Sequence, residues 1–300
     1  MELSIIVVNY NTKGLLRSCL ASIFEQTWRI ALEVFVVDNG STDGSLEVLA
    51  HEFGEVQLIA NSVNKGFAAA NNQGIKKAAG EYILLLNSDT EILNDAISKT
   101  LAFMKQHPEA SIAGCKLLNK DGTLQPSCRS FPSVWNLFTE SFFLYSVFKK
   151  IRLFGQYYMT HFDHESIRQV DVVMGAFMLI RREVFTAIGL LDENYFMYAE
   201  ETDFCYRARQ ADYKTFFFPG AFIIHLGGGS TFDNQKQFEQ LHSALLLFLH
   251  KHFTGIRLGA AVGLKKLGVA LRVAIYFLAG VMMFNFQQIR KSRYYLRILF

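Results

Sequence analysis

Along residues 1–104, short apolar runs alternate with stretches of helical period, and every apolar run stops at a polar cluster. Leu3 to Val8 is β-branched and ends at Asn9-Tyr10-Asn11-Thr12. Gly14 to Gln26 carries Leu15, Leu16, Cys19, Leu20 and Ile23 at the spacing of one helix face. Val34 to Val37 ends at Asp38-Asn39-Gly40-Ser41-Thr42-Asp43-Gly44, where Ser41 or Thr42 can cap a helix over Ser45 to Phe53. Val56 to Ile59 runs into Asn61 to Gly66, and a helix is expected from there to Ala79. Tyr82 to Leu86 is a continuous apolar run too short for a helix, which predicts a strand buried on both faces. It stops at Asn87-Ser88-Asp89, with a helix expected over Glu91 to Met104. This alternation predicts an α/β fold with a central, mostly parallel sheet.

Asn9-Tyr10, Asp38, Asn64-Lys65-Gly66 and Asp89 all fall at C-terminal strand ends, the edge where ligands bind in open α/β sheets. One such residue could be a simple helix cap; four in succession favour a ligand cleft. No G-x-G-x-x-G follows the first strand and no G-x-x-x-x-G-K-[ST] occurs, so neither a dinucleotide fingerprint nor a P-loop is present. Asp38 could accept from a ribose hydroxyl or a base N–H, and Asp89 could hold a hard divalent cation on phosphates. A nucleotide-diphosphate donor fits both placements.

Downstream, Ala110 to Leu118 reads as a strand and Lys120-Asp121-Gly122 as a hairpin turn. Phe131 to Tyr158 is aromatic-rich and carries Lys149, Lys150 and Arg152; buried helix and acceptor- or lipid-facing flap are both open. Val170 to Arg182 reads as one strand allowing close backbone approach at Gly175, followed by a helix over Glu183 to Ile188 closed by Gly189. Glu200, Glu201 and Asp203 crowd a loop-to-helix junction, where they either favour a helix N-terminus or hold a general base. Thr215 to Pro219 and Ala221 to Leu226 read as strands, and His225 precedes Gly227-Gly228-Gly229-Ser230-Thr231. A lone histidine is usually a core residue; beside three glycines at a strand end it is better placed to touch phosphate or metal.

Composition divides the chain. Residues 251–300 hold nine Lys or Arg and no Asp or Glu, which leaves the rest at a net charge of −6. The expected organisation is a catalytic domain over 1–250 and a basic, hydrophobic helical tail over 251–300. Leu267 to Phe284 carries one charge, Arg272, and is short for a spanning helix of about 20 residues. An in-plane helix or shallow hairpin on an anionic leaflet fits better. The four cysteines show no metal spacing and read as reduced thiols, and Met1-Glu2-Leu3-Ser4 leads into a strand without signal-peptide character.

Val36 to Gly44, Asn64-Lys65-Gly66-Phe67-Ala68, Asn87-Ser88-Asp89 and Phe196 to Asp203 together resemble glycosyltransferase family 2, most nearly its rhamnosyltransferase-like branch in bacterial polysaccharide assembly. The resemblance spans about residues 3–250. It implies a GT-A (Rossmann-like) fold and an inverting transfer, with rhamnose from dTDP-rhamnose the best guess, to a saccharide or polyprenyl-linked saccharide. It also implies Asp38 on base or ribose, Asp89 as the last position of a D-x-D-like motif holding Mg²⁺ or Mn²⁺, Glu201 as base and His225 near metal and diphosphate. Asn9, Tyr10, Asn11, Asn64, Gly66, Asn71 and Ser88 are the further donor-binding candidates, Gly175 and Ala176 the acceptor-binding ones. The sequence departs from the pattern at Asn87, where an acid is usual, and at Glu201, where Asp is usual, so Glu200 and Asp203 stay candidates beside it. Asp212 also stands where glycine is common. A nucleotidyltransferase of related fold, or an inactive transferase-like scaffold, is the alternative. Nucleic acid is not an expected partner; an anionic membrane is, at the cytoplasmic face of the plasma membrane.

Overall fold

In a computed structural model of the chain, residues 1–27, 30–148, 150–227 and 234–299 are described. Lys149 and Gly228-Gly229-Ser230-Thr231, singled out in the sequence, lie outside the described residues. The first half runs β1 (Leu3–Asn9), α1 (Lys13–Gln26), β2 (Leu32–Asp38), α2 (Ser45–Glu52), β3 (Gln57–Ala60), α3 (Phe67–Lys77), β4 (Tyr82–Asn87), β5 (Thr90–Ile92), α4 (Ala96–Gln106), β6 (Ala110–Leu118), β7 (Leu124–Gln125) and β8 (Cys128–Arg129). Then follow α5 (Val134–Ser141), α6 (Leu144–Val147), β9 (Arg168–Val170), β10 (Val172–Val173), β11 (Phe177–Arg181), α7 (Arg182–Ile188), α8 (Glu200–Gln210) and β12 (Lys214–His225). The chain ends in α9 (Asn234–His252), α10 (Gly255–Met282) and α11 (Phe286–Leu299).

The chain forms two compact units, Met1–Arg129 with Asp163–Thr231, and Ser130–Phe162 with Phe232–Phe300. The second thus takes in the expected tail together with α9 and the aromatic segment after β8. In the first, the sheet runs β3-β2-β1-β4-β11-β6-β12-β5. β3, β2, β1 and β4 are mutually parallel, as are β6 and β12, while β11 lies antiparallel between the two sets. β1 and β4 are buried on both faces, which is why they read as continuous apolar runs instead of alternating ones. Leu16, Cys19, Leu20 and Ile23 of α1 pack on the sheet as the helical period requires. All four cysteines are buried free thiols, and burial pushes Cys19 up to about 12.

Three expected elements are corrected. Thr90–Ile92 is not the start of a helix: it pairs antiparallel with the end of β12, and the helix begins only after the left-handed pair Asn94-Asp95. The span from Val170 to Arg182 is three strands. β9 joins β12, β10 leaves for a two-stranded sheet with β8, and β11 starts after the turn at Gly175-Ala176. The two expected strands over Thr215–Leu226 are one, β12, with a register shift between Phe218 and Phe222 that absorbs Pro219-Gly220.

The second unit is helical. Lys265 is buried with its Nζ 3.2 Å from Glu140 Oε2, Ser141 Oγ donates to Leu264 O at 3.0 Å, and the Arg272 guanidinium lies 4.7 Å from the Phe143 ring centre. The mid-helix charge is thereby stacked on an aromatic ring of its own unit. α10 and α11 form an antiparallel hairpin, with Tyr276 stacked on Tyr295 at 5.4 Å and Ser292 Oγ donating to Val273 O at 2.9 Å. Among the described residues no helix is long and apolar enough to cross a membrane.

Candidate active site

The loops after β1, β2 and β3 are tied to one another by side-chain amides. Asn9 Nδ2 donates to Asp38 Oδ2 at 2.8 Å, and Asp38 Oδ1 accepts from the backbone N–H groups of Gly40 and Ser41 at 3.1 and 2.8 Å. Asp38 is therefore fully buried with both oxygens engaged. It anchors the turn over residues 39–44. Asn11, exposed and at φ 53°, accepts from Thr42 N at 2.8 Å. Tyr10 beside it is partly exposed. Thr12 Oγ1 donates to Asn9 Oδ1 at 2.6 Å and meets Ser88 Oγ at 3.0 Å, which joins the ends of β1 and β4.

Asn64 Oδ1 accepts from Gly66 N at 2.9 Å and Asn39 Nδ2 at 3.2 Å. Gly66 is at φ 86°, and a Cβ on it would stand 2.4 Å from Phe196 O. Only glycine lets this turn dock so closely; the Phe67 N–H then donates to Phe196 O at 2.7 Å. Asn71, one turn into α3, is buried; its Nδ2 donates to Phe67 O, while its Oδ1 has no hydrogen-bond partner.

The Phe196 loop ends in two consecutive left-handed residues, Tyr198 at φ 70° and Ala199 at φ 63°. Such a pair is costly and concentrates at functional positions. It delivers three carboxylates into the first turn of α8 with three different fates. Asp203 is fully buried and pairs with Arg207 Nε at 2.8 Å, and Arg207 also donates to Ile188 O and Leu190 O. Through Arg207 this i,i+4 pair ties α8, with the catalytic candidate Asp203, to the preceding loop. Glu200 is buried with its Oε2 unpartnered, and burial together with the Glu201 charge pushes its carboxyl well above the usual range. Glu201 is half-buried and also raised by burial, against the lowering influence of its own and Thr202's backbone N–H groups and of the Arg129 charge. A Cβ on Gly175 would touch Glu201 Cβ and the Phe67 ring at ordinary contact distances. Ala176 O accepts from Asn87 N at 3.1 Å. The structure thus brings Gly175 beside Glu201 and Ala176 to the end of β4.

Asp89 and His225 meet because β5 pairs with the end of β12, where Thr90 stands opposite His225 and Leu226 N donates to Asp89 O at 2.9 Å. Asp89 Oδ1 lies 3.3 Å from His225 Nε2, and Asn87 Nδ2 is also 3.3 Å from Nε2. Among the described residues no group of three or more His, Cys, Asp and Glu side chains gathers as a metal cage. Two protein ligands are nevertheless what Mg²⁺ or Mn²⁺ needs when substrate phosphates and water complete its shell. Two donors each about 2.1 Å from one ion at right angles stand roughly 3 Å apart, so the oxygen–nitrogen pair fits. Reading the sequence missed Gln125, whose Oε1 lies 2.6 Å from His225 Nδ1, and Arg129; neither stands at a strand end in the apolar pattern.

Residues 4–189 match the family described as Glycosyl transferase family 2. The chain is 27% identical over 265 residues to an N-acetylglucosaminyl-diphospho-decaprenol L-rhamnosyltransferase of Mycobacterium tuberculosis, covering 84% of this chain and 85% of that one. It is 30% identical over 213 residues to the low-salt glycan biosynthesis hexosyltransferase Agl10 of Haloferax volcanii, covering 70% of this chain and 62% of the relative. Among solved structures it is similar to the mannosyltransferase PcManGT from Pyrobaculum calidifontis in complex with GDP-Man and Mn²⁺. The TM-score there is 0.60 at 16% identity, over 99% of this chain and 85% of that one. That likeness, with the mixed and mostly parallel sheet, is one of fold, the GT-A arrangement.

Proposed function

This chain belongs to glycosyl transferase family 2, and from that premise we propose an inverting transfer of rhamnose from dTDP-rhamnose to a hydroxyl of a polyprenyl-linked saccharide. The chain is a nucleotide-sugar-dependent glycosyltransferase that passes a sugar to an acceptor. Rhamnose and the lipid-linked acceptor are supported by the likeness to the mycobacterial N-acetylglucosaminyl-diphospho-decaprenol L-rhamnosyltransferase. The observation that carries the reading is the Asp89–His225 pair at 3.3 Å, poised at the sheet edge for a cation-bound diphosphate.

The turn held by Asp38, the Asn64–Gly66 turn and the unpartnered Asn71 Oδ1 shape the donor side. Gly175, packed beside Glu201 and Phe67, and the adjoining Ala176 are the residues proposed to border the acceptor. The Glu201 carboxylate takes the acceptor hydroxyl's proton as that oxygen bonds to the anomeric carbon. The bond from that carbon to the diphosphate breaks on the opposite face, so the configuration inverts. General-base help of this kind contributes about 10²–10⁴-fold. A divalent cation held by Asp89 and His225 would supply the positive charge that the departing diphosphate requires.

For the second unit the proposal is peripheral binding to an anionic lipid surface. Met282, Phe284 and Phe286 at the hairpin tip are 79%, 90% and 85% exposed, and Arg290, Lys291 and Arg293 are exposed just behind them. An apolar tip with a basic collar is the pattern of a shallowly inserted anchor.

The test of the enzyme is release of nucleoside diphosphate from a panel of nucleotide-sugars with Mn²⁺ and a polyprenyl-diphosphate-linked N-acetylglucosamine acceptor. Release of dTDP from dTDP-rhamnose, lost in Asp89→Ala and in excess chelator, is expected. Preference for another donor overturns the sugar, and full turnover in chelator overturns the cation.

A further inference from the structure

Five polar side chains run in hydrogen-bonded series from the β6–β7 turn to the cation pair, and each one fixes the orientation of the next. We propose that Asn119 and Gln125 are positioning residues that hold His225 as its Nδ1–H tautomer, with the Nε2 lone pair aimed at Asp89. This rests on the reading of Asp89 and His225 as the cation's protein ligands.

The orientation follows from counting donors. Asp121 is a carboxylate and only accepts; hydrogen bonds from Thr123 hold its carboxyl below the usual range. The Thr123 hydroxyl spends its single proton on Asp121 Oδ1 at 2.6 Å. Toward Asn119 it can therefore only accept, so the group 2.9 Å away is the Asn119 amide nitrogen. Asn119 Oδ1 then faces Gln125 Nε2 at 3.0 Å. The same Gln125 nitrogen lies 3.3 Å from the backbone oxygen of His225, which accepts whatever the side chains do. Two acceptors on one end of the amide settle which end is nitrogen. Gln125 Oε1 is left at 2.6 Å from His225 Nδ1, and an oxygen at that distance needs the proton on the ring.

In the neutral ring, a proton on Nδ1 leaves Nε2 with a lone pair. It accepts from Asn87 Nδ2 at 3.3 Å, which makes the asparagine in the usual acid's place a donor to the histidine. The lone pair also faces Asp89 Oδ1 at 3.3 Å. Two electron-rich atoms opposed this closely repel unless a positive charge lies between them, and the spacing is that of two adjacent ligands on one ion. The ring is thus oriented before any cation arrives, as outer partners of metal-bound histidines orient their rings.

The test reads the ring directly. In the full-length ¹⁵N-labelled protein without metal, at about pH 8.5 and well above the ordinary imidazole value, the His225 nitrogens are assigned by loss of their signals in His225→Asn. A proton on Nδ1 and none on Nε2 is expected. Gln125→Leu should lose that preference and weaken Mn²⁺ binding by about 10–100-fold, measured by electron paramagnetic resonance of free Mn²⁺. Gln125→Glu keeps an acceptor against Nδ1 and should restore the tautomer, which mere structural damage would not allow. A wild-type proton on Nε2, or an unchanged ring in Gln125→Leu, overturns the proposal. If Gln125→Leu unfolds, a Gln125→Glu ring with its proton on Nε2 overturns it equally. If the tautomer is as stated but Mg²⁺ leaves the His225 signals unmoved, the orienting series stands and the cation reading falls.

Discussion

Glu200 and Glu201 are neighbours in sequence and opposites in surroundings: the first is buried with an unpartnered oxygen, the second half-buried beside Gly175. A carboxyl that is raised in the folded protein favours folding below its ordinary value of 4.5, and that advantage is lost as pH climbs toward its folded value. Glu200→Gln removes the titration, so its stability relative to the native chain should rise as pH increases above about 4.5 and be unchanged at pH 3–4. Denaturant midpoints across that range check this; a constant difference would mean that Glu200 titrates alike in the folded and unfolded chain. Turnover should survive Glu200→Gln and collapse by about 10²–10⁴-fold in Glu201→Gln, with donor affinity retained in both. The opposite pattern makes Glu200 the base. At this scale the strand-end positions were legible, because an apolar run that stops at Asp or Asn marks a sheet edge. The separate fates of the three carboxylates were not. The Asp203–Arg207 pair is readable as an i,i+4 spacing, but burial, which decides between a holding and a reacting carboxyl, comes from the tertiary fold.

Elements with their own hydrophobic period were predicted nearly to their ends, as β1, α1, β4 and β6 illustrate. Those whose extent depends on a distant partner were not. Nothing local marks Thr90–Ile92 as a strand, because what makes it one is the end of β12 far downstream. That same pairing sets Asp89 against His225, so the element hidden from the sequence is the one that assembles the cation pair. Gly66 is the opposite case, since a glycine between Asn64-Lys65 and a helix announces a special backbone conformation. Gly66→Ala would set a methyl against Phe196 O in a conformation that L-residues avoid. The expected cost is roughly 1–3 kcal/mol, seen as a fall in Tm, with weaker nucleotide-sugar binding as the Phe196 loop shifts. Unchanged stability and affinity would mean that the turn docks without the close contact.

At the scale of the whole chain, residues 1–250 carry a net −6 while the stretch after them holds nine basic residues and no acid. The second unit answers part of that asymmetry internally, with Lys265 on Glu140 and Arg272 over Phe143. Lys291 lies over the Tyr276 ring at 5.7 Å, yet it, Arg290 and Arg293 all remain exposed, and they follow directly on Val281 to Phe284 and Phe286, which are exposed as well. Water is a poor solvent for that tip and an anionic leaflet a good one for both halves of it. Each basic residue near such a surface contributes about 1 kcal/mol, so the three together are worth roughly 100-fold in partitioning. The full chain should float with vesicles containing phosphatidylglycerol. Replacing Arg290, Lys291 and Arg293 by Ala should cost about that factor at low salt and little at high salt, where screening has already removed the attraction. Phe284→Glu with Phe286→Glu should weaken binding at both salt concentrations, because it acts on the apolar part. A native chain that stays out of the vesicle fraction at low salt sinks the lipid-surface reading. Binding that survives both sets of substitutions moves the contact to another surface, and the exposed Trp135, Phe142 and Phe148 of the same unit are the next to substitute.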